Sequence, residues 1–312
     1  MKKSIIINES VKKLKFDKKH GASQLTKEAL KALKLIIKKD ESKNLTEFLN
    51  NINKAGFKLA NARPSMASLM NVISKTIYLI NEEAKNFSLK ELKEFSILKI
   101  DEAIFESETA INKIAELTSK VIKEKTIVTH SFSSTAIEAI KKSFVKKVIV
   151  SEGRPLFEGR KTVIQLSKFN IPTVLITDAA LGFFISKEAE ATLVGCDTIL
   201  VDGSIVNKVG TYLLALAAKD NNIPFYVASE ITKISPKNIH EVNLEEANKR
   251  EVVENLPKNI EVKNLYFDIT KSSLITALIT EEGIIKPEEI KIKAQEFLKY
   301  INALKKFYNQ NL

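Results

Sequence analysis

Residues that could carry out chemistry are concentrated in VTHSFSSTA, residues 128–136, which joins a strand-like run to a helix-like one. A histidine beside a serine suggests either a nucleophile with its base or a polar cup for an anion. Neighbouring residues of a strand point to opposite faces, so His130 is poorly placed to activate Ser131, and no G-x-S-x-G elbow surrounds that serine. An anion cup is favoured, because the free N–H groups at the start of a helix attract anions.

The four arginines are informative because lysine supplies nearly all of the 49 basic residues. Three of them lie in stretches marked by Gly or Pro, NARPSM and SEGRPLFEGRK. A planar guanidinium suits bidentate binding of a phosphate or carboxylate. Arg63 and Arg154 are therefore candidate ligand residues; the alternative is an ion pair with a structural carboxylate.

Asp197 is a candidate acid or base, because it interrupts the apolar run VGCDTILV, which we interpret as a buried strand. Burial raises the pKa of a carboxyl group and suits general acid–base work. The alternative is a structural aspartate satisfied by backbone donors. The adjacent Cys196 is the single cysteine of the chain. It excludes an intrachain disulfide, and its apolar surroundings predict a buried thiol.

Several kinds of site and location are disfavoured by the sequence. The histidines, at 20, 130 and 240, lack the spacing of a metal pair, and neither a P-loop nor a G-x-G-x-x-G follows a strand. We therefore expect no metal and no cofactor. No apolar run approaches the ~20 residues of a membrane span, and the first residues lack the features of a signal peptide. The expected location is the cytoplasm.

The net charge of +11 does not by itself indicate a nucleic-acid surface. The lysines are dispersed and interleaved with Glu and Asp, and Trp is absent. This pattern is typical of solvated helix faces, whereas nucleic-acid grooves use clustered basic residues. Direct nucleic-acid binding is therefore not expected, although contact with another acidic macromolecule stays open.

The pattern of apolar residues predicts an α/β fold, with an N-terminal helical domain (residues 1–120) followed by a Rossmann-like parallel-sheet domain (residues 121–312). Up to about residue 120 the apolar positions recur with a helical period, and Thr26, Thr46 and Ser65 are candidate N-caps. Beyond it, short β-rich runs alternate with helical ones. The predicted strands are KTIVTHS, KKVIVSE, IPTVLITD, CDTILVDG, IPFYVASE and NLYFDIT, and SSLITALIT is predicted to be helical.

Open parallel sheets bind ligands outside the carboxyl ends of their strands. Most of the predicted strand ends carry polar or charged residues. The residues at these ends are Thr129, His130, Ser131, Ser133, Glu152, Arg154, Thr177, Asp178, Asp202, Gly203, Ser229, Glu230, Asp268 and Thr270. We therefore expect a phosphate cup formed by SFSSTA with Arg154 and Lys208.

Longer motifs resemble the alpha/beta/delta subunit family of translation initiation factor 2B. The motifs are RPSMASLMNVI, SEGRPLFEGRKTV, IPTVLITDAALGFFI, VGCDTILVDGSIVNKVGTYLLALAAKDNNIPFYVASE and YFDIT…ITALITEEGII. The superfamily also contains ribose-1,5-bisphosphate isomerase and methylthioribose-1-phosphate isomerase. The resemblance covers residues 21–285 and implies a helical domain followed by a Rossmann-like one. It also implies a homodimer or a higher homo-oligomer.

In the isomerases of this superfamily, catalysis relies on a cysteine in a T-H-C motif and on the aspartate of G-A-D. The sugar phosphate is held by an R-G-A stretch, the arginine of A-R-P and an N-K pair. Residues that match are Arg63, Asp197, Asn207 and Lys208. Two positions depart from the pattern: R-G-A is replaced by His20-Gly21-Ala22, and the cysteine falls on Ser131.

Two functions of different classes follow from the resemblance. The first is a non-catalytic regulatory subunit that binds a nucleotide or sugar phosphate, with initiation factor 2 as a candidate partner. The alternative is an aldose–ketose isomerase acting on a ribose phosphate, with Asp197 and Ser131 moving protons. A serine hydroxyl is far less acidic than a thiol. Ser131, together with the loss of arginine at His20, therefore favours the first function.

Overall fold

The computed structural model of the protein describes residues 2–17, 21–64, 66–244, 246–257 and 259–309. The chain divides into two compact units. A helical unit comprises Met1–Thr109, Thr232–Pro236 and Ile292–Leu312, and an α/β unit comprises Ala110–Ile231 and Lys237–Lys291. The sequence analysis predicted two domains, residues 1–120 and residues 121–312. These domain boundaries stay a prediction.

The helical unit is formed by amphipathic helices whose apolar faces share one core. Phe48, Ile52 and Leu69 are fully buried in it, and Leu304 from the C-terminal helix joins them. The helices are α1 (Lys2–Phe16), α2 (Ala22–Lys38), α3 (Leu45–Ala60), α4 (Ala67–Glu83), a 3-10 turn (Ala84–Asn86), α5 (Leu89–Ile122) as far as Thr109, and α10 (Ile290–Asn309) from Ile292.

The predicted N-caps are wrong where the structure tests them. Thr26 lies inside α2, where its hydroxyl donates to the carbonyl oxygen of Ala22 at 2.9 Å. Thr46 lies inside α3, and the cap is Asn44, whose Oδ1 accepts from the backbone N–H of Glu47 at 2.9 Å. Ser65 lies outside the described residues. Adjacent cap-forming residues compete for the position, and here the short asparagine side chain two residues upstream takes it.

The α/β unit contains a seven-stranded sheet and a smaller three-stranded one. Its strands are β1 (Thr126–His130), β2 (Lys147–Ser151), β3 (Thr173–Ile176), β4 (Ala191–Val194), β5 (Thr198–Ile199), β6 (Ile205–Lys208), β7 (Phe225–Ala228), β8 (Phe267–Thr270), β9 (Ala277–Thr280) and β10 (Gly283–Ile285). Its helices are the end of α5, α6 (Ser134–Lys142), α7 (Glu158–Ser167), α8 (Leu181–Glu188) and α9 (Thr211–Asp220).

The large sheet confirms the predicted Rossmann-like class. Its order is β10-β9-β7-β4-β1-β2-β3, and each neighbouring pair is parallel except β9 with β10. The six parallel strands thus follow the Rossmann order. Successive strands are added on one side of β1 up to β3, and from β4 onward they are added on its other side. The carboxyl ends of β1 and β4 flank the topological switch point, which is where such folds bind ligands.

Three segments differ from the sequence prediction. The core strand that pairs with β1 at the switch point is ATLV (β4), whereas the following CDTILVDG contributes β5 to the small antiparallel sheet β5-β6-β8. The segment NLYFDIT also supplies this small sheet, as β8, and ALIT, predicted to be helical, is the buried strand β9. Short apolar runs have no period that separates a buried strand from a buried helix, which explains these errors.

Candidate active site

Ser131 lies immediately after β1 in a left-handed backbone conformation, with φ of 65°. This conformation is uncommon for a residue with a side chain. The hydroxyl of Thr162 donates to the Ser131 carbonyl oxygen at 2.7 Å and holds the turn. The Ser131 side chain is buried, and its hydroxyl donates to Oε2 of Glu158 at 2.7 Å.

Glu158 also forms an ion pair with Lys208, whose Nζ lies 3.2 Å from the same Oε2 atom. Lys208 is 7% exposed. Its ammonium group lies 5.0 Å from the ring centre of Tyr266 and 5.1 Å from that of Phe267, distances typical of cation–π contacts. Burial in an aromatic pocket would be costly for an unpaired ammonium, and Glu158 supplies the compensating charge.

Sequence reasoning missed Glu158. The residue stands within SEGRPLFEGRK, a stretch already marked for its arginines, but nothing in the sequence shows that the first residue of α7 faces β1 and β6. The signal available was an acidic residue in a Gly/Pro-rich turn between two basic ones.

His130 is a structural residue in this site. Its Nε2 donates to the carbonyl oxygen of Val209 at 2.8 Å, which leaves Nδ1 to accept from the Ser151 hydroxyl at 2.5 Å. Burial lowers the pKa of His130, although the Val209 bond and the nearby Asp178 act in the opposite direction. Both ring nitrogens are therefore engaged in a neutral imidazole that joins β1 to β2 and to the loop before α9. Neither serves Ser131, as the strand geometry predicted.

The position of the His130 ring explains why residue 210 is a glycine. A Cβ at Gly210 would lie 2.9 Å from Nε2, and Gly210 has a φ of +105°. Both the contact and the conformation favour glycine at the start of α9.

Asp197 is not within a buried strand, and that part of the prediction is wrong. It occupies a bend between β4 and β5, is half-buried, and donates its backbone N–H to the Val206 carbonyl at 3.0 Å. The bend follows Gly195, at the carboxyl end of β4. Its place beside the switch point is that expected of a ligand-facing residue. The prediction for Cys196 is confirmed: the thiol is buried and donates to the Ser229 hydroxyl at 3.1 Å.

The side chains expected to form a phosphate cup are engaged elsewhere. Ser133 caps α6, accepting from the backbone N–H of Ala136 at 3.2 Å. Arg154 is exposed, and its guanidinium donates to the Val252 carbonyl at 2.7 Å. Glu152 accepts from Arg160 at 2.9 Å. Ser133, Arg154 and Glu152 thus each have a partner within the protein, and the phosphate cup expected from SFSSTA, Arg154 and Lys208 stays a prediction.

Asn207 and Asp268 face each other across β6 and β8. The Asn207 amide donates to the Thr211 hydroxyl at 3.0 Å. Oδ2 of Asp268 accepts from the backbone N–H groups of Gly210 and Tyr212 at 2.7 and 3.1 Å. Oδ1 of Asp268 is buried without a hydrogen-bond partner, and burial raises the pKa of this carboxyl to about 6. The sequence had marked Asp268 as a strand end without giving it a role.

The remaining predicted ligand residues belong to the helical unit. Gly21 precedes α2 as its N-cap residue, and Ala22 is the buried first residue of that helix. Arg63 donates to the carbonyl oxygen of Asp17 at 2.8 Å. His20 lies outside the described residues. The structure therefore joins Ser131 and Lys208 through Glu158 in the α/β unit, while the ligand-binding or catalytic roles predicted for Asp197, Asn207, Gly21, Ala22 and Arg63 stay predictions.

Metal-ligand clusters and membrane-spanning helices are both absent from the described ranges. No group of three or more His, Cys, Asp or Glu side chains in these ranges forms a candidate metal site. No helix in the part of the chain that the structure describes is long and apolar enough to cross a membrane.

Comparison with known proteins decides the family. Residues 18–287 match the model of the Initiation factor 2 subunit family. The chain belongs to this family.

The proteins similar to this chain include both sugar-phosphate isomerases and proteins named as translation initiation factors. Ribose 1,5-bisphosphate isomerase of Methanocaldococcus jannaschii is 37% identical, with 91% of this chain and 92% of that protein covered. The putative translation initiation factor eIF-2B subunit 2-like protein of Pyrococcus furiosus is 34% identical, covering 89% and 95%. A crystal structure of Pyrococcus horikoshii translation initiation factor eIF-2B superposes with a TM-score of 0.74 at 31% identity, covering 91% and 98%. The resemblance stated from sequence motifs is confirmed.

Proposed function

We propose that this chain is a non-catalytic regulatory subunit of the factor 2B type. It binds a phosphorylated small molecule, a nucleotide or sugar phosphate, at the switch point of the α/β unit. It acts in the cytoplasm as a homodimer or higher homo-oligomer, with initiation factor 2 as its candidate macromolecular partner. The similarity to proteins named as translation initiation factors supports this role.

The observation that carries the proposal is the environment of Ser131. The superfamily's isomerases are expected to use a cysteine at this position, and converting an aldose to a ketose requires a group that takes a proton from one carbon and returns it to the next. The Ser131 hydroxyl is already donated to Glu158, whose carboxylate is paired with Lys208. An alcohol is far less acidic than a thiol, and we infer that Ser131 is a poor replacement for the cysteine in this proton transfer.

A second candidate function is an aldose–ketose isomerase acting on a ribose phosphate. The similarity to ribose 1,5-bisphosphate isomerase at 37% identity favours it, as does the retention of Asp197, Asn207 and Lys208. In this case Asp197 would exchange protons with the sugar, and Ser131 would position the substrate.

Turnover of ribose 1,5-bisphosphate by wild type, Ser131→Cys and Asp197→Asn separates the two functions. The proposal predicts no conversion above the uncatalysed rate for wild type and for Asp197→Asn. Ser131→Cys restores the sulfur atom that the isomerases are expected to use. Activity that appears in this variant would show that the serine is the reason for the inactivity of the wild type. Wild-type turnover that Asp197→Asn abolishes would establish the isomerase instead.

A further inference from the structure

Three side chains of the site form a connected chain of contacts: Ser131, Glu158 and Lys208. A single carboxylate oxygen, Oε2 of Glu158, accepts from the Ser131 hydroxyl at 2.7 Å and from the Lys208 ammonium at 3.2 Å. Within the described residues, Glu158 is the acidic partner of Lys208. The other neighbours of the ammonium are the faces of two aromatic rings.

This arrangement changes what Lys208 can bind. A buried ammonium with no counter-ion attracts phosphate strongly, because the low-dielectric surroundings do not screen its charge. With Glu158 at 3.2 Å, the pair carries no net charge, and a phosphate that approached Lys208 would also approach the carboxylate. Like charges held close together disfavour the second anion.

The pair remains able to bind neutral polar groups. An ammonium has three N–H donors, and a carboxylate has two acceptor oxygens. Here Ser131 and Lys208 both contact Oε2 of Glu158, whose side chain is 21% exposed, so Oε1 is the candidate acceptor for a ligand. A donor beside an acceptor is suited to hydroxyl groups, which both donate and accept, and acidic side chains bind ribose hydroxyls in this way in Rossmann folds.

The helix dipole does not by itself determine the orientation of Glu158. An acidic residue at the first position of a helix is favourable for the helix dipole wherever its side chain points. The Glu158 side chain extends away from its own helix to Ser131 after β1 and to Lys208 at the end of β6. One contact thus lies at the carboxyl end of β1, on the ligand-binding edge of the large sheet, and the other lies at the end of β6 in the small sheet.

We propose that Glu158 determines the specificity of this site: it cancels the charge of Lys208, so the part of the ligand bound there is a neutral hydroxyl-bearing group such as ribose, not a phosphate. This inference rests on the proposed function in that it assumes a small molecule binds at the switch point. It assigns the phosphate of that molecule to a position away from Lys208.

Calorimetric titration with inorganic phosphate tests the proposal on the full chain. Glu158→Gln removes the competing charge and keeps the shape, so it is expected to bind phosphate about tenfold more tightly than wild type. The double variant Glu158→Gln/Lys208→Met should lose this gain. Glu190→Gln is the matched control, since Glu190 forms an exposed ion pair with Lys146; it makes the same change in net charge and should bind phosphate as wild type does.

Two results would overturn the proposal: equal phosphate affinity in wild type and Glu158→Gln, or a gain that persists when Lys208 is replaced. Glu158→Ala gives a second route if Glu158→Gln folds poorly, and thermal melting reports folding for each variant. Failure of this inference differs from failure of the proposed function, because the latter is decided by wild-type turnover and not by phosphate affinity.

Discussion

Asp268 illustrates how one side chain of the site can have two different environments. Its Oδ2 accepts two backbone N–H groups at the start of α9, while its Oδ1 is buried without a partner. The two hydrogen bonds favour the ionised form, but burial outweighs them and raises the pKa from 3.8 to about 6. Ionisation of the buried Asp268 carboxyl therefore lowers the free energy of unfolding, and this loss depends on pH.

Asp268→Asn should make the protein more stable at neutral pH. The pKa of Asp268 is about 6 in the folded protein, against 3.8 without burial. The protonated carboxyl therefore contributes its full stabilisation below pH 3.8, and this contribution is lost as the pH rises through about 6. An asparagine retains an oxygen acceptor for the two N–H groups and does not ionise. We expect a gain on the order of 2–3 kcal/mol in the free energy of unfolding at pH 8 and little gain at pH 4.

Urea unfolding of wild type and Asp268→Asn at both pH values measures this difference. Asp220→Asn, at the exposed end of α9, is the control for removing one carboxylate. A gain of the same size at pH 4 and pH 8 would contradict the account.

At the scale of elements, the approach of α7 to β2 places Glu158. The backbone of Gly159 lies so close to β2 that a Cβ there would meet the Ser151 carbonyl oxygen at 1.8 Å. The neighbouring Gly153, with φ of +72°, forms the turn between the two elements. The close contact brings the first residue of α7 to the carboxyl end of β1, within reach of Ser131.

Gly159→Ala should therefore destabilise the protein and displace Glu158. Overpacking against a backbone oxygen is expected to cost at least about 2 kcal/mol in the free energy of unfolding. The matched control is Gly182→Ala, inside α8, where a Cβ would meet nothing within 4 Å. That change should stabilise the protein by up to about 1 kcal/mol, because alanine favours the helix. Thermal unfolding compares the two variants, and equal melting temperatures would contradict this packing.

At the scale of the whole molecule, the charge of +11 is spread over lysines with acidic neighbours, and it does not explain the function. Assembly with a second copy is the interaction expected from the family resemblance. Light scattering coupled to size-exclusion chromatography should give a mass of at least twice the 35.0 kDa of the chain. A mass of 35.0 kDa at micromolar concentration would contradict the proposed assembly.

Sequence reasoning recovered the class of fold, the predicted site residues stay predictions, and physical reasons explain where the sequence reasoning failed. The strand ends after β1 and β2 were recognisable from apolar runs followed by polar residues. β4 and β9 were misassigned, because a strand of four residues is too short to show a period. Glu158 was missed because its contacts depend on the close packing of α7 against β2. This packing is a tertiary contact, and the residue that permits it is Gly159.

The most direct test of the central claim is the phosphorus NMR spectrum of ribose 1,5-bisphosphate incubated with wild-type protein in stoichiometric amount. Each phosphate has its own signal, and conversion to the ketose would replace both signals. The account predicts that the original signals broaden as the protein binds the sugar phosphate, with no ketose signals over hours. Appearance of ribulose 1,5-bisphosphate within minutes would contradict it and make the protein an isomerase that works without the cysteine.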